Sequence, residues 1–468
     1  MQVAAATPSL SPYSSTRQSL VVAALAFAGM GGSFMQTILI PIQGELPRLL
    51  DAPPNDTAWV ITATLLSASV CTPIAGKLGD MFGKRRIAIL LTILLIIGSL
   101  LCLFSNGLPM LIVGRLFQGA GAGVIPLGIS LLRDVLDGRR LPSAIALVSG
   151  TLGIGGAIGL PLSAFVTENF DWHVLFILSA GISTLSLLFL MLIVPKTSGR
   201  GSGGRVDFLG AIGLAIGLVG VLLAISQGNR WGWTSTATLT SIAVGVVAFA
   251  IWGWYELRVG NPLVDLRVSV RPAVLLTNLA SVAMGFALFS SSVSFPQLLG
   301  LPVDRGGLGI DLLRASLMLM PSGIAMLIMS PVAGRIARRV GSRALLIAGA
   351  CVLALAYALC IALPLNMWLI ATINCIIGIG IGLGYAAMPS LIMAVVPRHE
   401  TAAANGLNAL MRSLGTTSAA AVVGAILAST AAADQSGSFT MVFVLGLIAA
   451  ILCASIAFFI PAPAEARA

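Results

Sequence analysis

Residues 76–90 read GKLGDMFGKRRIAIL. Lys77, Asp80, Lys84, Arg85 and Arg86 crowd into ten residues of a chain in which only 9% of residues are charged. Soluble domains carry about 25%. Here 57% of residues are hydrophobic and the mean hydropathy is +1.02. No aqueous core could hide that much apolar surface, so the solvent is lipid, and the chain reads as an all-α, multi-pass membrane protein. In such a protein the net charge of +10 reports where loops lie and is no sign of nucleic-acid binding.

Spanning requires about 20 apolar residues. Fourteen segments qualify, near 20–41, 57–78, 87–106, 109–132, 142–167, 173–194, 206–226, 237–256, 273–299, 311–334, 344–363, 367–394, 401–430 and 439–460. The polar 1–19 reads as a tail and the run from Leu20 as a first helix, not a cleaved signal. An even count places both termini on one side. With that side cytoplasmic, the inner loops and tails hold twenty of the 26 Lys and Arg, and the outer loops only Arg48, Arg230, Arg305 and Arg314. This positive-inside bias predicts cytoplasmic termini in a cytoplasmic (inner) membrane. Residues 76–90 then form the inner loop between helices 2 and 3.

The same stretch recurs. Gly76, Asp80, Gly83 and Arg85 have counterparts Gly334, Arg338, Gly341 and Arg343 in GRIARRVGSR, 258 residues on. Arg115, Gly119, Gly121 and Gly123 in RLFQGAGAG match Asn374, Gly378, Gly380 and Gly382 in NCIIGIGIG, 259 residues on. Two parallel six-helix repeats explain one shift. The expected organisation is a tail 1–19, a six-helix bundle 20–195, a Gly/Ser-rich linker 196–205, two inserted helices 206–256, a connector 257–271, a second bundle 272–461 and a tail 462–468.

GKLGDMFGKRR resembles the loop 2–3 signature of the major facilitator superfamily, and LIVGRLFQGAGAG its helix-4 signature. Fourteen helices, VDFLG opening helix 7 and ELRVGNPLVDLRV after helix 8 are similar to the fourteen-helix drug/proton antiporter branch. The resemblance covers nearly the whole chain. It implies a fold of two six-helix bundles plus two extra helices. It also implies a cytoplasmic gate using Asp80 and Arg85, around which Gly76, Gly83, Lys84, Arg338 and Arg343 gather, and a part for Arg115 in proton coupling. Two departures stand out. Met35 in SFMQTILI takes the place of an acid, and Gly156 in GTLGIGGAIGLPLS that of a proline.

The acids cluster at the two ends of the spans, leaving Arg115 and Arg412 as the charges within them. An intramembrane charge costs roughly 2.5–3.5 kcal/mol even on the lenient insertion scale, so a role in transport is set against a structural arginine bonding carbonyls. The proton-carrier candidates are Arg115 and Glu45. Ser33, Gln36 and Thr37 lie on or beside the polar stripe of helix 1, while Arg115 and Gln118 share a face of helix 4. We expect these faces to meet across a water-filled cavity, the alternative being hydrogen-bond glue between helices. Helix 9 offers Asn278, Phe286, Phe289 and Gln297, helix 12 Asn374 and Tyr385, helix 13 Asn405, Asn408 and Arg412. An apolar pocket with few polar anchors suits lipophilic ligands.

The glycine runs read as helix-packing surfaces, since none joins a strand to a helix as phosphate loops do. His173, beside Trp172, reads as an interfacial anchor rather than a titrating switch. The six cysteines sit singly in apolar runs and suggest neither disulfides nor metal. With no catalytic constellation and no ATP-binding motif, the expectation is a non-enzyme powered by an ion gradient. The leading function is export of lipophilic, cationic or neutral drugs or antibiotics by proton antiport. The expected partners are the lipid bilayer, small lipophilic substrates and protons, with no cofactor and no oligomer beyond the monomer. The rivals are transport of anionic, carboxylated metabolites and a lipid-handling or sensor protein on the same scaffold.

Overall fold

The computed structural model describes residues 13–43, 45–196, 207–429 and 436–461. Most of the expected linker, residues 1–12 of the expected N-terminal tail and all of the expected C-terminal tail lie outside these. Fourteen helices are long and apolar enough to span: α1 (Ser15–Thr37), α2 (Trp59–Phe82), α3 (Lys84–Leu103), α4 (Leu108–Val135), α5 (Leu141–Asn169), α6 (Val174–Leu192), α7 (Phe208–Trp231), α8 (Thr236–Glu256), α9 (Pro272–Gly300), α10 (Leu312–Val340), α11 (Ser342–Ala362), α12 (Met367–Val395), α13 (Thr401–Ser429) and α14 (Ser436–Phe458). A 3₁₀ turn at Gly121–Gly123 interrupts α4. No strand is found among the described residues. We call the end holding Ser15 and Phe458 the base and the opposite end the mouth.

Several helices begin on side-chain caps: Ser14, Asp207, Ser235, Asp311 and Asn366 each accept an orphan backbone N–H of the first turn. Two breaks repeat the sequence symmetry. Gly83 (φ 99°) separates α2 from α3, and Gly341 (φ 86°) separates α10 from α11. A residue with a Cβ avoids that conformation, so glycine sets both turns. Helices 2 and 10 run past their expected ends at 78 and 334, to Phe82 and Val340. Hydropathy stops at the first charges, but the helix continues into the interface until glycine breaks it.

Four larger apolar clusters, with a small fifth of Val268, Val274, Ile392 and Val396, hold the described residues together. One fills the C-terminal bundle around Tyr357, Phe295 and Phe443. Two fill the base and mouth ends of the N-terminal bundle. The fourth sets Leu214, Leu218 and Leu222 of α7 against Leu410 of α13 and partly buried Leu66 and Val70 of α2. The inserted hairpin thus lies along the seam between the bundles. Polar contacts reinforce it near the mouth, where Thr62 lies 3.3 Å from Ser226 and Asn229 donates to the Ala421 carbonyl at 2.8 Å. The two bundles meet chiefly through α5 on α10 and α2 on α13. These pairs join the second helix of each repeat to the fifth of the other.

Candidate functional site

The charged stretch 76–90 builds a latch at the base. Asp80 is 8% exposed and accepts the first amides of α13, Ala402 N–H at 3.3 Å and Ala403 N–H at 2.9 Å. A carboxylate there satisfies orphan N–H groups and meets the positive end of the helix dipole. Lys84 Nζ donates to Asp134 at 2.8 Å and lies 4.0 Å from Asp80. Gly76 permits the approach: a Cβ there would collide with the Ala402 carbonyl. Arg85 donates to the carbonyls ending α6, Leu190 at 3.2 Å and Met191 at 2.6 Å.

The second repeat answers contact for contact. Arg338 donates to Ser143 Oγ at 2.6 Å, at the start of α5. A Cβ on Gly334 would collide with the backbone of Ser143. Arg343 donates to the Phe458 carbonyl ending α14. Further in, Arg115 Nε donates to the Val60 carbonyl at 3.3 Å, and Asn374 Nδ2 to the Leu319 carbonyl at 2.8 Å. Donors and acceptors are both separated by the repeat length. The symmetry legible in the letters is therefore a symmetry of hydrogen bonds.

Between the bundles lies a central cavity of about 300 Å³. Ser33, Gln36, Thr37, Phe289, Asn374, Tyr385 and Arg412 line it, among many apolar side chains. Arg412 is the one Lys, Arg, Asp or Glu on its described walls, and its guanidinium stacks 4.7 Å from the Tyr385 ring centre. In the cavity wall Ser69 and Ser413 of opposite bundles meet at 2.8 Å, and toward the base Arg133 donates to the Val396 carbonyl at 3.1 Å and to Thr401 at 2.9 Å. The base is thus closed by contacts between bundles.

Several expected residues lie elsewhere. Arg115 is 1% exposed and does not face Gln36 across water. It bonds the Met35 carbonyl at 3.2 Å and Gln118 at 2.8 Å inside the N-terminal bundle. Gln118 in turn donates to Ser99 at 2.9 Å. The shared face on α4 was read correctly, but it points into its own bundle because α3 packs on it. Asn408 donates to Asn278 at 3.0 Å, and Asn405 to Ser130 at 3.3 Å, both behind the cavity wall. Phe286 packs against the C-terminal core, Gln297 is exposed, and Glu45 pairs on the surface with Arg48 at 3.2 Å. None of these eight expected residues, Arg115 and Gln118 included, is among the cavity's lining residues. His173 donates its backbone N–H to Asp171 at 2.8 Å, with its ring nitrogen at 2.5 Å. These bonds hold the Asp171 carboxyl below the usual range.

Sequence reading missed Asp134, Arg133, Ser69 and Ser413. Their signal was available only as polar atoms near helix ends or in apolar runs, which is common packing. Asp80→Asn keeps the shape but loses the charge facing the α13 dipole. Charge-assisted bonds are worth roughly 1.5–3 kcal/mol. We expect base-side cysteine labelling of the variant to rise about tenfold as the latch loosens; unchanged labelling would contradict that role.

Two pseudo-symmetric helical bundles around a central cavity closed at the base are the architecture of a membrane transporter. The family model of the Major Facilitator Superfamily matches residues 21–420, with a second match over 308–468, and the chain belongs to that family. It is 26% identical over 419 residues to the multidrug transporter protein MdtP of Bacillus subtilis, covering 87% of this chain and 74% of that protein. It is 27% identical over 330 residues to the lincomycin resistance protein LmrB of Listeria monocytogenes, covering 70% and 69%. Among solved structures, the proton:xylose symporter XylE superposes with a TM-score of 0.66 at 14% identity, covering 96% of this chain and 97% of that one. The human organic anion transporter MFSD10 gives 0.64 at 15%, covering 93% and 99%. These two likenesses concern the fold.

Proposed function

We propose that the chain exports lipophilic, drug- or antibiotic-like molecules by alternating access, using a proton gradient and no cofactor. The central cavity carries this reading: apolar walls bind lipophilic molecules, and scattered hydroxyls and amides orient them. The names of MdtP and LmrB agree with it. The two bundles, taken as 20–195 and 272–461, rock about this site. The Asp80 and Arg338 latches open and close the base, which lies in the cytoplasm of a cell whose inner membrane holds the protein as a monomer.

The charge of the cavity refines the cargo. Arg412 without a neighbouring carboxylate repels cations and attracts anions, the more so where water is scarce. Neutral and anionic lipophiles are therefore the favoured cargo, and carboxylated compounds form the second reading. The test uses proteoliposomes with an imposed pH gradient, an internal pH-sensitive dye, and added lipophilic cations, neutral antibiotics and organic anions. Neutral and anionic compounds should move protons. Arg412→Gln should cut anion-driven signals about tenfold or more and spare neutral ones. A response to cations alone would overturn the assignment of charge, and silence with all classes would overturn drug–proton exchange itself.

A further inference from the structure

The α7–α8 hairpin carries a feature that cargo transport does not use. Asp207 caps α7: its Oδ1 accepts the Gly210 amide at 2.8 Å and the Tyr255 hydroxyl at 3.0 Å. Its Oδ2 has no hydrogen-bond partner. Glu256, the last residue of α8, is 3% exposed, and both its carboxylate oxygens are without partners. The Trp252 indole and the amides of Leu263 and Val264 point toward Glu256, but none closes a bond of ordinary geometry. The two carboxylates face each other over Gly210. A Cβ at that position would strike Asp207 Oδ2 and stand 2.8 Å from Glu256 Oε1.

Among the described residues, no cation pairs with them. Neither acid forms an ion pair with a described Lys, Arg or His residue, and among the described charges it is Asp207 that acts on Glu256. Arg258 is turned away, stacked 4.1 Å from the Trp254 ring centre, and Arg267 reaches the Leu257 carbonyl at 3.4 Å. The packed elements contribute apolar side chains: Leu66, Val70 and Ile74 from α2, Leu407, Leu410 and Leu414 from α13, and Leu263, Val264 and Leu266 from the connector. Two buried carboxylates that both approach the Gly210 Cβ position within 2.8 Å cannot both stay ionised at bearable cost.

We infer that Asp207 and Glu256 share one proton, held between Glu256 Oε1 and Asp207 Oδ2. A metal ion fits less well. Three unsatisfied oxygens fall short of the six or so that hard cations gather, and the Trp252 N–H aims a donor at the same space. The proton turns one carboxylate into a donor for the other and clamps the base of the hairpin. Leu263 and Val264 also line a polar cavity with Lys77 and Asp80. The clamp therefore sits one packing layer from the latch. This inference is independent of the cargo.

The test is thermal unfolding of the purified full-length protein from about pH 5.5 to about pH 8.5, above the ordinary carboxylate range. The folded pair holds a proton that the unfolded chain releases, so stability must fall as pH rises. Glu256→Gln supplies an amide N–H in place of the shared proton. It should fold, retain transport and flatten the fall in melting midpoint. Asp207→Asn, an equally good cap, should flatten it too. Equal pH slopes in the wild type and both variants would overturn the proposal. So would recovery of the high-pH midpoint by added sodium, or failure of both neutral variants to fold, since each would require two ionised carboxylates.

Discussion

Arg115→Ala should lower the melting midpoint of the purified protein sharply and abolish transport with it. The guanidinium is 1% exposed and bonds carbonyls of α1 and α2 while holding Gln118 on its own helix. Gln118 continues to Ser99, which meets Ser179 of α6 at 3.0 Å. Five helices are thus tied into one polar network, three of them through the Arg115 side chain itself. Breaking a buried polar network of this kind costs about 3–5 kcal/mol, because the stranded carbonyls and amide lose their partner away from water. Arg115→Lys, which retains the charge but not the forked geometry, should fall between the two. A variant that melts with the wild type yet moves nothing would put Arg115 in the coupling step itself.

Gly76→Val should abolish transport without unfolding either bundle. The glycine faces the Ala402 carbonyl across the closed base, and a branched side chain cannot occupy that gap. Each bundle packs within itself, so the clash appears only when the base shuts. Transport should drop by about 1.4 kcal/mol or more of closing free energy, at least tenfold. Base-side cysteine labelling should be high and insensitive to cargo. Gly334→Val, at the symmetric contact with Ser143, should behave alike. Normal transport in either variant would mean that the closed base seen here is not on the working cycle.

Much of this architecture was legible because lipid imposes simple rules. Every spanning segment must satisfy its own backbone, so apolar runs of sufficient length announce helices. Cations mark loop ends, and the shift shared by Gly76 and Arg115 announced the repeat. The ends of α2 and α10 were misread because a paired or interfacial charge such as Asp80 does not stop a helix, whereas a left-handed glycine does.

The site was legible only in part. Ser33, Gln36, Thr37, Phe289, Asn374, Tyr385 and Arg412 do meet at the cavity. Gln118, Asn278, Asn405 and Asn408 are polar residues of the same kind at similar spacing, yet they bond within or behind the walls. Helical periodicity tells which residues share a face, and it is silent on what that face meets.

By itself, then, the sequence determined the number of helices and their repeat, because each follows from local composition or from spacing along one chain, while the place of the latch was implied by the resemblance of GKLGDMFGKRR to a family signature. Tertiary structure alone decided that Arg115 bonds within its own bundle and does not line the cavity, that Arg412 is the charge on the described cavity walls, and that Glu256 and Asp207 both approach Gly210. Those outcomes depend on rotation about each helix axis, and packing between distant segments fixes that rotation.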